Sequence, residues 1–268
     1  MRPQSTVEVG KAVQGWQIGE RIVAAFGEFD HIHQGTYAEF IALPTRYLRR
    51  IPPDLDYIRA ASAGLAFCTA WSALFYKGKL QAETERVVVW AASSGVGTSA
   101  LQIAHWCGAM TVAVANPAKA DALRSLGANT VIDPAETNLV PLVMEATQGL
   151  GATLVLDLVG HHCLQSSIDM LSAGGRIVCA GCLDSRWATI NVLDLIQKNG
   201  SISGALQSIA AEDFDQILHL LAARTFQAAI SLVLPLQYIQ IAHDLIAAQA
   251  TFGEVVLVPT WIEQLSAS

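Results

Sequence analysis

Between residues 86 and 205, short apolar runs alternate with stretches of helical period. The runs predict strands at 86–91, 110–115, 130–133, 153–158, 175–180 and 201–205, with helices near 97–107, 117–126, 137–148 and 161–172. On the first of these helices Val96, Ala100, Ile103, Ala104 and Cys107 share one face, while Thr98, Gln102 and His105 fall elsewhere. Strands alternating with one-sided apolar helices predict an α/β fold: a doubly wound parallel sheet of Rossmann type with right-handed crossovers.

The pattern changes on either side of that block. In the first 50 residues, "STVEVGKAVQGWQIGERIVAAFG" and "GTYAEFIALP" are rich in glycine and β-formers, and predict short strands in a small β-rich unit. "IPPDLDYIRAASAGLAFCTAWSALFYKG" places a Pro-Pro stop and then Asp54 or Asp56 as the N-cap of a long apolar helix. Further along come a helix at about 211–224, the apolar run "AAISLVLPL", a helix in "QYIQIAHDLIAAQA" and a last strand in "GEVVLVP". No internal repeat is visible.

Composition narrows the function classes. At 268 residues, 52% hydrophobic and 15% charged, the chain suits a globular protein with doubly buried strands rather than a disordered one. A net charge of −7 argues against a nucleic-acid partner. Apolar runs are broken well short of the ~18 residues a membrane span needs, and "MRPQSTVEVGKAV" lacks the apolar core of a signal peptide. The cysteines (Cys68, Cys107, Cys163, Cys179, Cys182) are odd in number and scattered, as in a reduced, cytoplasmic protein. Cys179 and Cys182 form a lone C-x-x-C on which no helix opens, so Cys179 is expected to pack in a strand.

The stretch "VVVWAASSGVGTSALQIA" carries the clearest chemistry. A strand that ends in a tight small-residue turn and opens a helix aims backbone N–H groups and the positive helix end at an anion. Laid on G-x-G-x-x-G, Gly97 answers the need for close helix–strand packing, and Gly95 supplies unusual backbone angles. Ser94 takes the slot where the backbone approaches a pyrophosphate, and its hydroxyl can donate to it. The acidic residue expected ~20 residues on, for a ribose 2′-OH, is missing. Asn116 stands at that strand end, followed by Lys119 and Arg124. Loss of the carboxylate removes its repulsion of a 2′-phosphate, and a nearby lysine can pair with that phosphate, so NADPH is favoured over NADH. On the plainer alternative, Lys119 and Arg124 are the solvated face of a helix.

With these pieces in place the chain resembles the medium-chain dehydrogenase/reductase superfamily, in its zinc-independent quinone oxidoreductase and enoyl reductase branch. "VEVGKAVQGWQIGERIV" is similar to the family's V-E-V-G…G-D-R-V, and "GTYAEF" to its G-x-Y-A-E-Y. "KADALRSLGANTVID", "LVLDLVG", "GGRIV" and "FGEVVLVP" follow in the family's order. The resemblance implies that Ser93, Ser94, Gly95, Val96 and Gly97 meet the pyrophosphate. It puts Asn116 and Lys119 at the 2′-phosphate, and Thr69, Val159, Gly160 and Gly181 at the nicotinamide. It further implies three parts: residues 1–64 as a segment of the GroES-like catalytic domain, 65–205 as the dinucleotide-binding domain, and 206–268 returning to the catalytic domain. The family's N-terminal barrel begins some tens of residues earlier, so much of it is expected to be missing here. The strand in "GSISGAL" is the one that pairs across a two-fold axis in relatives, which implies a homodimer.

Several positions depart from the family pattern: Ser94 for Gly, Glu20 for the Asp of G-D-R-V, Pro134 for a frequent Tyr, and Glu254 for the Lys of the final G-K-V-V. "VAAFGEFDHIHQ" has no cysteine where zinc relatives carry a four-cysteine lobe, and Leu65 stands in place of their catalytic cysteine. No zinc is therefore expected. His31 and His33 in "DHIHQG" alternate, so on a strand they would share a face and could ligate a metal, but in a glycine-flanked loop they read as solvated. His161, His162 and Cys163 open a helix after the D-x-V-G segment, where His161 either approaches the nicotinamide ribose or belongs to an exposed helix start. Tyr37 is a candidate proton donor or a packing tyrosine, and no catalytic residue is assigned. The leading expectation is an NADPH-dependent reductase of quinones or activated C=C bonds, with small-molecule substrates. The alternatives are an enoyl reductase acting on acyl thioesters in polyketide-type synthesis, and a protein that binds the cofactor without catalysis.

Overall fold

The computed structural model describes residues 4–24 and 37–259. His31 and His33 lie outside them. The chain divides into two compact units, Met1–Cys68 with Ser208–Ser268, and Thr69–Gln207.

The first unit opens with an antiparallel sheet of β1 (Gln4–Ser5), β2 (Arg21–Ala24) and β3 (Leu48–Arg50), in that order. Ile22 and Val23, on opposite faces of β2, are both buried. Arg21 anchors the Pro-Pro stop, donating to the carbonyls of Pro52 (3.4 Å), Pro53 (3.1 Å) and Leu55 while it stacks on the Tyr57 ring at 4.8 Å. Of the two candidate caps, Asp56 takes the place: its Oδ1 accepts the Arg59 N–H at 2.8 Å and opens α1 (Tyr57–Trp71). A π-helical turn, Ser72–Lys77, extends α1. Together they form a 21-residue helix long and apolar enough to cross a membrane, contrary to the run-length expectation, yet 78% of its most apolar window is buried inside the protein. The predicted strand in "GTYAEFIALP" does not form within residues 37–44. Tyr37 and Phe40 there are 62% and 63% exposed, with no sheet face on which to alternate.

The second unit is built from β4 (Arg86–Trp90), α2 (Gly95–Trp106), β5 (Met110–Val114), α3 (Ala120–Ser125), β6 (Thr130–Ile132), α4 (Leu139–Ala146), β7 (Ala152–Asp157), α5 (His162–Asp169), β8 (Leu171–Cys179), α6 (Val192–Gln197) and β9 (Ser201–Gly204). Its strands form one parallel sheet in the order β6-β5-β4-β7-β8-β9. Val87, Val88, Val89, Val112, Leu154, Val155, Leu156, Ile177 and Val178 are fully buried, which is why the central strands read as unbroken apolar runs.

Four details differ from the sequence reading. Thr98 and Gln102 on α2 are buried with the apolar face, their polarity absorbed along the helix: Thr98 Oγ1 donates to the Gly95 carbonyl and Gln102 Nε2 to that of Thr98. The predicted helix at 117–126 is split, with a 3-10 turn at Pro117–Lys119 before α3. β8 starts at Leu171 rather than 175, because Leu171 pairs with Ala152 before a register shift in the ladder. α6 follows no predicted element; Asn191 caps it by accepting the Leu193 N–H at 3.1 Å.

A buried ion pair joins β8 to the residue just before β4. Arg176 Nη2 donates to Glu85 Oε1 at 2.5 Å, and its guanidinium also reaches the carbonyls of Gly78 and Thr153, the latter at 3.0 Å. The chain then completes the first unit with α7 (Ala211–Ala222), β10 (Ile230–Pro235), α8 (Ile239–Ala247) and β11 (Glu254–Val258). β10 and β11 pair in parallel, and Phe67 stacks on Phe226 at 5.4 Å.

Candidate functional site

In a parallel sheet every strand delivers its carboxyl end to the same edge. The order β6-β5-β4-β7-β8-β9 reverses between β4 and β7, the crevice where doubly wound sheets bind ligands. The turn after β4 lies at this switch point. Ser94 is the N-cap of α2: its Oγ accepts the Gly97 N–H at 3.1 Å and its carbonyl the Thr98 N–H at 2.8 Å. The N–H groups of Gly95 and Val96, in the first turn, have no intrahelical acceptor by geometry.

Gly97 is where helix and strand meet. A Cβ there would stand 2.5 Å from the Ala91 carbonyl oxygen and 2.7 Å from Ala92 Cα. Gly95 does not supply the unusual backbone angle expected of it. It is the first helical residue, and the left-handed conformation falls on Ala91 (φ 48°), because the reversal comes straight after β4.

At the end of β5, Asn116 Oδ1 accepts the Ala118 N–H at 2.9 Å and caps the 3-10 turn. This turn brings Lys119 back toward the β4 turn, with Nζ 3.4 Å from Ser93 Oγ. Arg124 instead pairs with Asp121 at 3.0 Å on an exposed helix face. The cation that joins the turn is thus Lys119.

Past β7 the D-x-V-G segment is tied back on itself. Asp157 is fully buried; its Oδ1 accepts the N–H groups of Val159 and Gly160, both at 2.8 Å, while its buried Oδ2 has no hydrogen-bond partner. The segment after β8 runs alongside. A Cβ on Gly181 would stand 2.5 Å from the Leu158 carbonyl oxygen, Asp184 N–H donates to the Val159 carbonyl at 3.1 Å, and Gly160 bridges to Ser185. Val159, Gly160 and Gly181 are therefore neighbours. Thr69 is buried in α1.

Sequence reasoning missed Asp184 and did not separate Asp157 from the rest of its motif. Asp184 sits in a polar stretch whose place beside Val159 depends on the β7–β8 pairing, which no local signal announces. Its Oδ2 lies 2.7 Å from His161 Nδ1 and 3.1 Å from His162 Nδ1. Hydrogen bonding to His161, then to His162, outweighs partial burial and holds the Asp184 carboxyl below the usual range. Burial, with the negative Asp157 and Asp184 nearby, pushes the Cys163 thiol up to about 12; burial and Asp157 push Cys179 up to about 11. Neither is a reactive thiolate. In the first unit, Tyr37 is not packed: its hydroxyl lies 3.2 Å from His243 Nε2.

These features fit a dinucleotide. A capped helix start offers N–H groups, Gly97 leaves no room for a side chain between strand and helix, and a lysine approaches the turn with no carboxylate on Asn116's side chain to oppose it. The sequence pattern of the family described as "Zinc-binding dehydrogenase" matches residues 95–223, a stretch that includes neither Leu65 nor Cys68. The rat (Rattus norvegicus) protein "Quinone oxidoreductase" is 29% identical over 256 residues, covering 93% of this chain and 75% of its own length. The crystal structure of an NAD-dependent alcohol dehydrogenase superposes with a TM-score of 0.87 at 28% identity, over 95% of this chain and 80% of that one. The CurK enoyl reductase structure does so with a TM-score of 0.80 at 26% identity, over 96% and 77%. Fold, order of motifs and relatives agree: this chain belongs to the medium-chain dehydrogenase/reductase superfamily, a family of oxidoreductases.

Proposed function

We propose that this chain is a cytoplasmic, NADPH-dependent and zinc-independent reductase that passes hydride to a quinone or an activated C=C bond. The observation that carries the choice of NADPH is the approach of Lys119 Nζ to Ser93 Oγ, beside a strand end that bears Asn116 rather than an acid. Residues 65–205 form the dinucleotide-binding part, with 1–64 and 206–268 belonging to the catalytic domain. The reduced nicotinamide supplies the hydride when bound. The chain's own residues bind and orient. Ser93, Ser94, Gly95, Val96 and Gly97 receive the pyrophosphate on the first N–H groups of α2. Lys119 and Asn116 take the 2′-phosphate by charge and hydrogen bonding. Thr69, Val159, Gly160 and Gly181 flank the nicotinamide, Val159 and Gly160 being held by the carboxylate of Asp157.

The likeness to a quinone oxidoreductase over 93% of the chain favours a quinone substrate. The likeness to an enoyl reductase structure supports a second reading, reduction of enoyl thioesters. A homodimer is expected through the β9 edge, where Trp187, Ile196 and Leu206 in the surrounding segments are strongly exposed. The test follows NADPH oxidation at 340 nm (the cofactor's absorbance band) with a quinone and with crotonyl thioester. Turnover of the quinone alone supports the first reading, and turnover of the thioester alone the second. Turnover of neither, with NADPH still bound, identifies a catalytically silent protein.

A further inference from the structure

The turns after β7 and β8 carry a set of side chains that reduction does not use. His161 Nδ1 and His162 Nδ1 face the same oxygen of Asp184, at 2.7 and 3.1 Å, and the three candidate ligand atoms lie within 4.8 Å of one another. We propose that His161, His162 and Asp184 form a binding site for a divalent late transition metal such as Zn2+ or Co2+, with His Nδ1, His Nδ1 and Asp Oδ2 as ligands.

The spacing suits such an ion. Ligand atoms at about 2.0–2.1 Å from a tetrahedral metal stand roughly 3.3 Å from one another, so only small side-chain adjustments close the site. The donor set suits it too: two imidazoles and one carboxylate select zinc, cobalt or nickel over the oxygen-seeking Mg2+ and Ca2+. Three protein ligands leave a fourth position for water.

The ligands are held in register from outside the cluster. Asp184 N–H donates to the Val159 carbonyl at 3.1 Å, and the Gly160–Ser185 bridge fixes the two turns side by side. The other nitrogen of His162, Nε2, lies 3.6 Å from Cys163 Sγ. With its proton on Nε2, donated toward that sulfur, His162 keeps the Nδ1 lone pair for a metal; outer partners of this kind commonly orient ligating histidines. Without a metal, one carboxylate oxygen serves two imidazoles. All three residues are exposed, so an ion can enter. The site is distinct from the zinc position of alcohol dehydrogenases, whose catalytic cysteine is replaced here by Leu65.

The test titrates the full chain with Co2+ and follows the visible ligand-field bands, with Zn2+ as competitor. The expected result is one ion per chain, bands of nitrogen and oxygen ligation, and binding weakened roughly 10–100-fold or more in both His162→Ala and Asp184→Asn. These exposed substitutions leave the metal-free melting curve in place. The double variant His31→Ala/His33→Ala binds as the wild type does. Absence of cobalt binding, thiolate-to-cobalt charge-transfer bands from Cys179 and Cys182, or loss of binding only in the His31/His33 variant would each overturn the proposal.

Discussion

Gly97→Ala puts a methyl group where the strand and the helix already touch. The added Cβ would lie 2.5 Å from the Ala91 oxygen and 2.7 Å from Ala92 Cα, whereas non-bonded carbon contacts are comfortable at about 3.5–4.0 Å. Relief requires a shift on the order of 1 Å. Both obstacles are backbone atoms, and Ala92 is fully buried. Nor can α2 slide outward freely, because Ala100, Leu101, Ile103 and Ala104 are fully buried along it. Overpacking of this kind costs ~1–3 kcal/mol, and the better helix propensity of alanine returns up to ~1 kcal/mol. A net loss of about 1–2 kcal/mol corresponds to a melting temperature lower by roughly 2–8 °C for a domain of this size. Tryptophan fluorescence follows the melt conveniently, since buried Trp90 ends β4 and its Nε1 donates to Ser167 Oγ at 2.9 Å. An unchanged or raised melting temperature would refute the reasoning, because it would mean that the helix start does not press on the strand.

Ser94→Ala removes the N-cap and is expected to cost about 1 kcal/mol, whereas Ser94→Gly costs only a few tenths; equal losses in denaturant melts would contradict the capping role. Glu85→Ala strands the guanidinium of Arg176, which is only 21% exposed, and is expected to cost about 3 kcal/mol, the lower end for a broken buried pair, since carbonyl partners remain. Burial pushes the Glu85 carboxyl up, but hydrogen bonds from Arg176 and Thr153, the Arg176 charge and the Gln81 N–H outweigh it and hold it below the usual range. Its stabilisation is therefore full above the ordinary glutamate value of ~4.3 and fades as pH falls through the lower folded-state value. Glu85→Gln should accordingly flatten the acid limb of the stability curve below about pH 4, and an unaltered limb would count against the assignment.

The central sheet was legible because its strands are buried on both faces: Val87, Val88 and Val89 form a run that only a sheet covered twice explains. The phosphate turn was legible in place but not in detail. Ala91 rather than Gly95 holds the left-handed conformation, and Ser94 caps the helix, a role its position permits but its identity alone does not dictate. Thr98 and Gln102 fell outside the apolar face because periodicity scores polarity and not burial; hydrogen bonds along the helix let both be buried. Residues 37–44 carried β-forming residues, but a strand also needs a neighbour. The cluster of His161, His162 and Asp184 was out of reach, since Asp184 arrives by strand pairing across the β7–β8 ladder and the turns beyond it.

The central claim is that the turn after β4 holds NADPH with the help of Lys119. The most direct measurement is a titration of the six tryptophans' fluorescence with NADPH and with NADH, on the wild type and on Lys119→Ala. The account predicts that NADPH binds more tightly than NADH, and that Lys119→Ala loses roughly tenfold in NADPH affinity, about 1.4 kcal/mol, with little change for NADH. Equal affinities for the two cofactors that Lys119→Ala leaves untouched, or no binding of either, would contradict it.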